Sequence, residues 1–457
     1  MSSKFKVQNS KFFQIAVLLL TAYCSLLTAY AQNGGTQQNL TGRAGTFAIT
    51  GARIVTVSGA PVENGTIVIE NGKITALGAN AAVPAGAERI DGSGLTVFPG
   101  MIDAATNMGL VEIGQGVPGS VDVAETGTMN PNARAFKGIN PHSSHINVTR
   151  VNGITTVLSM PSGGIISGQA AVINLNGSTQ SEMTVTPEFG LVINFPRITT
   201  FSFTPGVGAQ TVDFNEAVRR RDQNVEELKK IFADAENYAR VQEAHARDKT
   251  LPYPARDVKL EAMVPYVRGE RPIIFMADRE RDIRAVIKFV EEMRVKGIIV
   301  GGGDAWKAAD GLKKNNIPVI FTKIYNLPAQ EDDPYDYFYE GPSKLQKAGV
   351  KFAVSTGDGG AEVRDLPYQA GIAGAFGLGH DEALKSVTLY PAQILGIADR
   401  YGSLEVGKMA NVVVADGDIL DPRTNIKYMF IDGRMIPLTS RHTELFDAFK
   451  DRTEPGR

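Results

Sequence analysis

Phe98-Pro99-Gly100-Met101-Ile102-Asp103-Ala104-Ala105-Thr106-Asn107-Met108-Gly109 decides the fold of this chain: an apolar run halts at Pro-Gly and resumes as a short strand ending in small polar residues. Before it lie short β-type runs at 47–49, 53–57, 66–69 and 73–77, the last two flanking Glu70-Asn71-Gly72. Asn-Gly between β-branched runs is a hairpin signal, because both turn residues must take positive φ. After it, apolar β-type runs at 154–160, 170–175, 190–194, 272–276, 297–301, 317–322 and 351–355 alternate with amphipathic segments such as 282–294, 305–314 and 342–348. With 96–103 these make eight strand candidates, the number a (β/α)8 TIM barrel needs. A doubly wound open sheet would give similar local patterns. However, Gly301-Gly302-Gly303 lacks the dinucleotide spacing, and no Gly-Lys-Ser/Thr phosphate loop occurs.

A second β-rich patch follows the barrel region, at 411–417 and 426–433. Neither β patch is large enough to stand alone, so the two are expected to complete one small composite β-sandwich domain from both chain ends. The reading is therefore α/β: residues 46–97 plus 402–440 form the composite domain, 98–401 the barrel and 441–457 a C-terminal tail. Residues 213–247 are too long for one crossover. Leu228, Ile231, Phe232, Ala235 and Tyr238 give them an apolar helical stripe, which predicts an inserted helix on the barrel's outer face or over its mouth.

The 457 residues carry a formal net charge of -2, without the basic excess that a nucleic acid or an anionic membrane would select. Lys4, Lys6 and Lys11 precede an apolar run at 12–27, and Ala29-Tyr30-Ala31 places small residues where a signal peptidase cuts. Residues 1–31 thus read as a cleavable signal peptide and 32–45 as a flexible leader, which predicts a periplasmic or secreted protein with no membrane contact after cleavage. Cys24, the one cysteine, lies inside the signal. A mature chain without cysteine has no disulfide, thiolate metal site or catalytic thiol.

Several stretches resemble the amidohydrolase superfamily, in particular its secreted imidazolonepropionase-like branch. They include the opening stretch, Arg150-Val151-Asn152-Gly153-Ile154-Thr155-Thr156-Val157, Gly164-Ile165-Ile166-Ser167-Gly168-Gln169-Ala170 and Leu366-Pro367-Tyr368-Gln369-Ala370-Gly371. The most specific are Tyr390-Pro391-Ala392-Gln393-Ile394-Leu395-Gly396 and Arg400-Tyr401-Gly402-Ser403-Leu404-Glu405-Val406-Gly407-Lys408. The resemblance implies hydrolysis of non-peptide C–N bonds by water activated on zinc or another divalent metal. It places the first two imidazole ligands at Ala105 and Asn107, and a third at Met276. A methyl, an amide and a thioether are poor zinc ligands.

What survives of the implied set is Asp358, the last-strand carboxylate that would act as metal ligand and general base. Its turn, Thr356-Gly357-Asp358-Gly359, could instead hold the carboxylate on its own backbone N–H groups. No metal cofactor is therefore expected, with a carboxylate site of Asp278, Asp304 and Asp358 as the hard-metal alternative. Asp278 and Asp304 also precede helices and suit N-caps. His142 and His145 share one helical turn without a third ligand, and His245, His380 and His442 stand apart.

Substrate or ligand contacts are expected at the barrel mouth from Asn107, Gln169, Met276 and Asp304. Three functions remain open: a non-catalytic exported protein partnering an active paralogue or a second copy of itself, a hydrolase of cyclic amides or dipeptide-like substrates using Asp358 and a differently held metal, and a periplasmic small-molecule binder.

Overall fold

The computed structural model describes residues 41–113, 118–204, 208–253, 255–328, 330–357 and 359–451. The signal-peptide segment and Asp358 lie outside the described residues.

The Pro-Gly hinge is where the chain passes from one sheet to another. Strand β5 (Thr96–Pro99) belongs to a sheet with β1 (Phe47–Ile54), β2 (Val62–Glu70), β3 (Lys73–Gly78) and β4 (Glu88–Asp91). The next strand, β6 (Met101–Thr106), opens the barrel. Gly100 alone separates them. Its N–H donates to Asn411 O at 2.9 Å, while Met101 N donates to Gly153 O at 3.0 Å, so adjacent residues bond to different domains. A β-carbon at Gly100 would overlap the Thr155 side chain, which explains glycine there by close approach rather than by dihedral angle.

The C-terminal patch completes the first sheet. β16 (Val412–Ala415) pairs antiparallel with β5, Val412 facing Pro99 and Val413 facing Phe98, and then with β17 (Ile426–Ile431), which carries the short β18 (Arg434–Met435). The sheet runs β18-β17-β16-β5-β1-β2-β3, with β4 on β1, so the expected composite domain is one continuous sheet. Asn71 and Gly72 take φ of 50° and 83° in the β2–β3 turn, as the Asn-Gly signal requires. Phe47, Ile49, Ile67, Ile69, Val97, Val412 and Phe430 form its core.

The barrel strands after β6 are β7 (Ile154–Ser159), β8 (Ile166–Asn174), β9 (Thr184–Asn194), β12 (Ile273–Ala277), β13 (Gly297–Gly301), β14 (Val319–Phe321) and β15 (Phe352–Val354), following one another round the sheet except for the hairpin β10 (Phe201–Thr204) and β11 (Gly208–Thr211). All eight expected positions are strands. One departs from the (β/α)8 pattern: β8 is antiparallel to both β7 and β9. Residues 160–165 are too few for a parallel crossover, which takes about a dozen residues, so the chain must turn back. Ile102, Leu158, Val172, Val192, Ile274, Ile298 and Ile320, contributed by seven strands, pack in one cluster that fills the barrel.

The inserted segment is the helix Phe214–Arg247, capped by Asp213, whose carboxylate accepts from Asn215 N and Glu216 N. Leu228, Phe232, Ala235 and Tyr238 are its buried stripe. Phe232 meets Phe289 edge-on at 5.3 Å, and Phe289 in turn meets Phe275 of β12 at 5.8 Å. The insertion therefore packs outside the barrel, against the helix Glu280–Met293, and no residue of it lines the mouth.

Candidate binding site at the barrel mouth

The barrel closes between β6 and β15 through side chains rather than a strand ladder. Asp103, buried in β6, accepts from Ser355 Oγ, from Thr356 Oγ1 at 2.5 Å, and from the Thr356 and Ala105 N–H groups at 3.3 Å each. Burial pushes its pKa up to about 6, and the hydroxyl and N–H donors work in the other direction. This carboxylate brings the end of the first strand, with Ala105 and Asn107, next to the Ser355–Gly357 turn.

Above that seam opens a cavity of about 1000 Å³ lined by the C-terminal ends of the parallel strands: Ala105 and Asn107 after β6, Asn194 and Phe195 after β9, Met276 and Asp278 after β12, Gly303 and Asp304 after β13, Thr322 and Lys323 after β14, and Gly357 after β15. This is the face on which barrel enzymes build their sites. Four of the sequence-derived candidates, Asn107, Met276, Asp278 and Asp304, meet here. Gln169 does not: it is buried on β8, with Nε2 donating to Pro131 O at 2.9 Å, and it holds the 130–134 loop instead. The start of β8 lies level with the ends of β7 and β9, Ile166 opposite Ile193, but the Gln169 side chain turns to the 130–134 loop and not into the cavity.

The mouth is built of paired charges. Lys323 Nζ lies 3.0 Å from Asp278 Oδ1. Lys307 Nζ lies 3.0 Å from Asp304 Oδ1, which also accepts from the Tyr337 hydroxyl, and Asp304 Oδ2 accepts from Glu280 N at 3.2 Å. Burial raises the Asp304 pKa, but Tyr337, Lys307 and the Glu280 N–H outweigh it and hold the carboxyl below its usual range. The Tyr337 hydroxyl raises the Lys307 pKa, burial lowers it, Asp304 raises it again, and the ammonium stays charged. Tyr337 itself is raised by burial and by its carboxylate acceptor. Asp304 thus caps the start of the helix Glu280–Met293 from outside, where Arg279 supplies no side-chain cap. Lys307, Lys323 and Tyr337 were not among the residues singled out in the sequence; Lys323, just past the 317–322 run, was the one with a positional signal.

These residues do not fit a divalent metal. Ala105 has no donor, Asn107 spends its amide N–H on Met160 O at 2.5 Å, and Met276 offers a thioether. The two carboxylates already face lysines. Among the described residues no three His, Cys, Asp or Glu side chains cluster for a metal, and Asp358, third member of the carboxylate alternative, lies outside them. The histidines serve elsewhere: His145 Nε2 bonds Glu112 O at 3.0 Å, His245 Nδ1 bonds Leu251 O at 2.7 Å and His380 Nε2 bonds Asp418 at 2.8 Å.

A sheet domain built from both chain ends is joined by one glycine to a barrel whose strand ends frame a polar cavity. A model of the Amidohydrolase family matches residues 340–436, the stretch from the helix before β15 through β18. The crystal structure of an amidohydrolase from Thermotoga maritima MSB8 is similar over 86% of this chain and 99% of its own, with TM-score 0.74 and 26% identity. Together these findings show a likeness to amidohydrolases, in sequence over the C-terminal stretch and in fold over most of the chain. More distant structures share the fold: a prolidase complexed with N-methylphosphonate-L-proline (TM-score 0.51, 18% identity, 86% of this chain and 99% of that one) and a molinate hydrolase (0.53, 18%, 87% and 96%). Comparison of the sequence with curated proteins finds no match.

Proposed function

We propose that the chain is an exported amidohydrolase-like protein that binds a small molecule in the barrel mouth without metal-dependent hydrolysis, alone or as the non-catalytic partner of an active relative. The observation that carries this reading is the donor set: Ala105, Asn107 and Met276 where the family resemblance implies imidazoles, and Lys323 and Lys307 on the carboxylates that remain. Export rests on the Lys-rich, then apolar, sequence ending in Ala29-Tyr30-Ala31.

A full zinc site contributes on the order of 10–16 kcal/mol, and removing most of its nitrogen donors leaves binding too weak to survive dilution. Protein purified without chelator is expected to carry well under one zinc per chain, to keep its Tm in chelator and to leave cyclic amides and dipeptides intact with added zinc, manganese or magnesium. Near-stoichiometric metal together with turnover would replace this reading with the active-hydrolase one. N-terminal sequencing of the exported protein is expected to begin at Gln32; recovery of an intact Met1 end would count against export.

A further inference from the structure

The charges around the mouth go further than binding and point to a ligand class. Arg197, on the segment leaving β9, and Arg279, on the turn leaving β12, both line the cavity and are exposed. Among the described residues neither meets a carboxylate. The described carboxylates around the same cavity are already engaged: Asp278 by Lys323 at 3.0 Å, Asp304 by Lys307 at 3.0 Å, Asp282 by Arg281 at 3.3 Å, and Asp333 by the Gln330 N–H at 3.1 Å. The helix that begins at Glu280 has its first N–H taken by Asp304, and among the described lining residues five cations face four carboxylates, with the two guanidiniums as the cations that have no carboxylate partner.

An unpaired arginine on a convex surface is solvated and uninformative. Two on the wall of one concave cavity concentrate their field there, and the planar guanidinium fork matches a carboxylate or phosphate through two parallel hydrogen bonds. The lining of the same cavity is partly apolar, with the half-buried Met276 available to the rest of a ligand. We infer that the mouth takes a small organic anion, its carboxylate or phosphate group held by Arg197 and Arg279 and its body lying over Met276. This rests on the binding function proposed above and names its ligand chemistry.

The test is calorimetric titration of the full mature chain at low salt with succinate, citrate and glucose 6-phosphate, against the neutral succinamide and glucose. At least one anion is expected to bind with Kd of about 1 mM or tighter, its neutral counterpart at least about tenfold more weakly. Whether the dicarboxylates or the phosphate ester bind more tightly decides between the two anionic groups. The double variant Arg197→Gln, Arg279→Gln should raise Kd at least about tenfold with unchanged Tm, and 0.5 M salt should weaken wild-type binding. Should the double variant unfold, Arg197→Gln alone, on an exposed loop, carries the same expectation to about threefold. Binding of neutral molecules with no response to any anion, or anion binding indifferent to both substitutions, would overturn the inference and leave the binding function standing. Stoichiometric metal with hydrolysis would instead overturn the proposed function itself.

Discussion

Asp103 offers a quantitative test of how the barrel is closed. It is buried, and its pKa stands at about 6 against 3.8 for the free side chain. A folded-state carboxyl with a raised pKa binds its proton more tightly than the unfolded chain does. Between these two values the native state therefore holds more protons, and stability falls as pH rises. At 1.36 kcal/mol per pKa unit the penalty reaches about 3 kcal/mol by pH 7. Thermal unfolding of some 400 ordered residues carries an entropy of about 0.9 kcal/mol per degree, so that penalty corresponds to about 3 °C in Tm.

Asp103→Asn removes the titration while keeping the shape. It also alters the bonds from Ser355 and Thr356, but by an amount that does not vary with pH. The quantity to follow is the variant Tm minus the wild-type Tm, by circular dichroism from pH 4 to pH 7. It is expected to rise by about 3 °C, whatever its value at pH 4. A difference constant across that range would refute the assignment of a buried, high-pKa carboxylate to the seam.

Three other perturbations test the architecture. Phe289→Ala empties the contact shared by Phe195, Phe232 and Phe275, which should cost about 3–5 kcal/mol and lower Tm by about 3–6 °C, with an unchanged Tm arguing against the insertion's place on the outer face. Gly100→Ala drives a methyl into Thr155 between two anchored N–H groups, so soluble yield should collapse and recover in part with Thr155→Ala; a soluble single variant melting like wild type would be the contrary result. A chain ending at residue 410 lacks β16 to β18 and leaves β5 without its ladder partner, and it should aggregate on expression; soluble protein with wild-type Tm would show that the sheet does not need both chain ends.

Much of this protein is written locally. Continuous apolar runs marked every barrel strand, Asn71-Gly72 marked the hairpin, and Pro99-Gly100 marked the passage between sheets, because each signal is a property of a few consecutive residues. The residues at positions 105, 107 and 276 were equally legible, since a side chain without a suitable donor lacks it in any fold. What the sequence could not supply was pairing over long chain separations. That β8 runs backwards was hinted at by the short 160–165 link, yet the strand's composition is that of any buried strand, and only packing decides that Gln169 turns to the 130–134 loop and not into the cavity. Asp103 lay in plain view as a carboxylate inside an apolar strand, a costly placement that signals a partner; which partner, only the closed barrel decides. The same holds for Lys323 on Asp278, Tyr337 on Asp304 and the unpaired Arg197 and Arg279: electrostatic complementarity depends on distances of a few ångströms between residues far apart in the chain, and tertiary structure alone sets those distances.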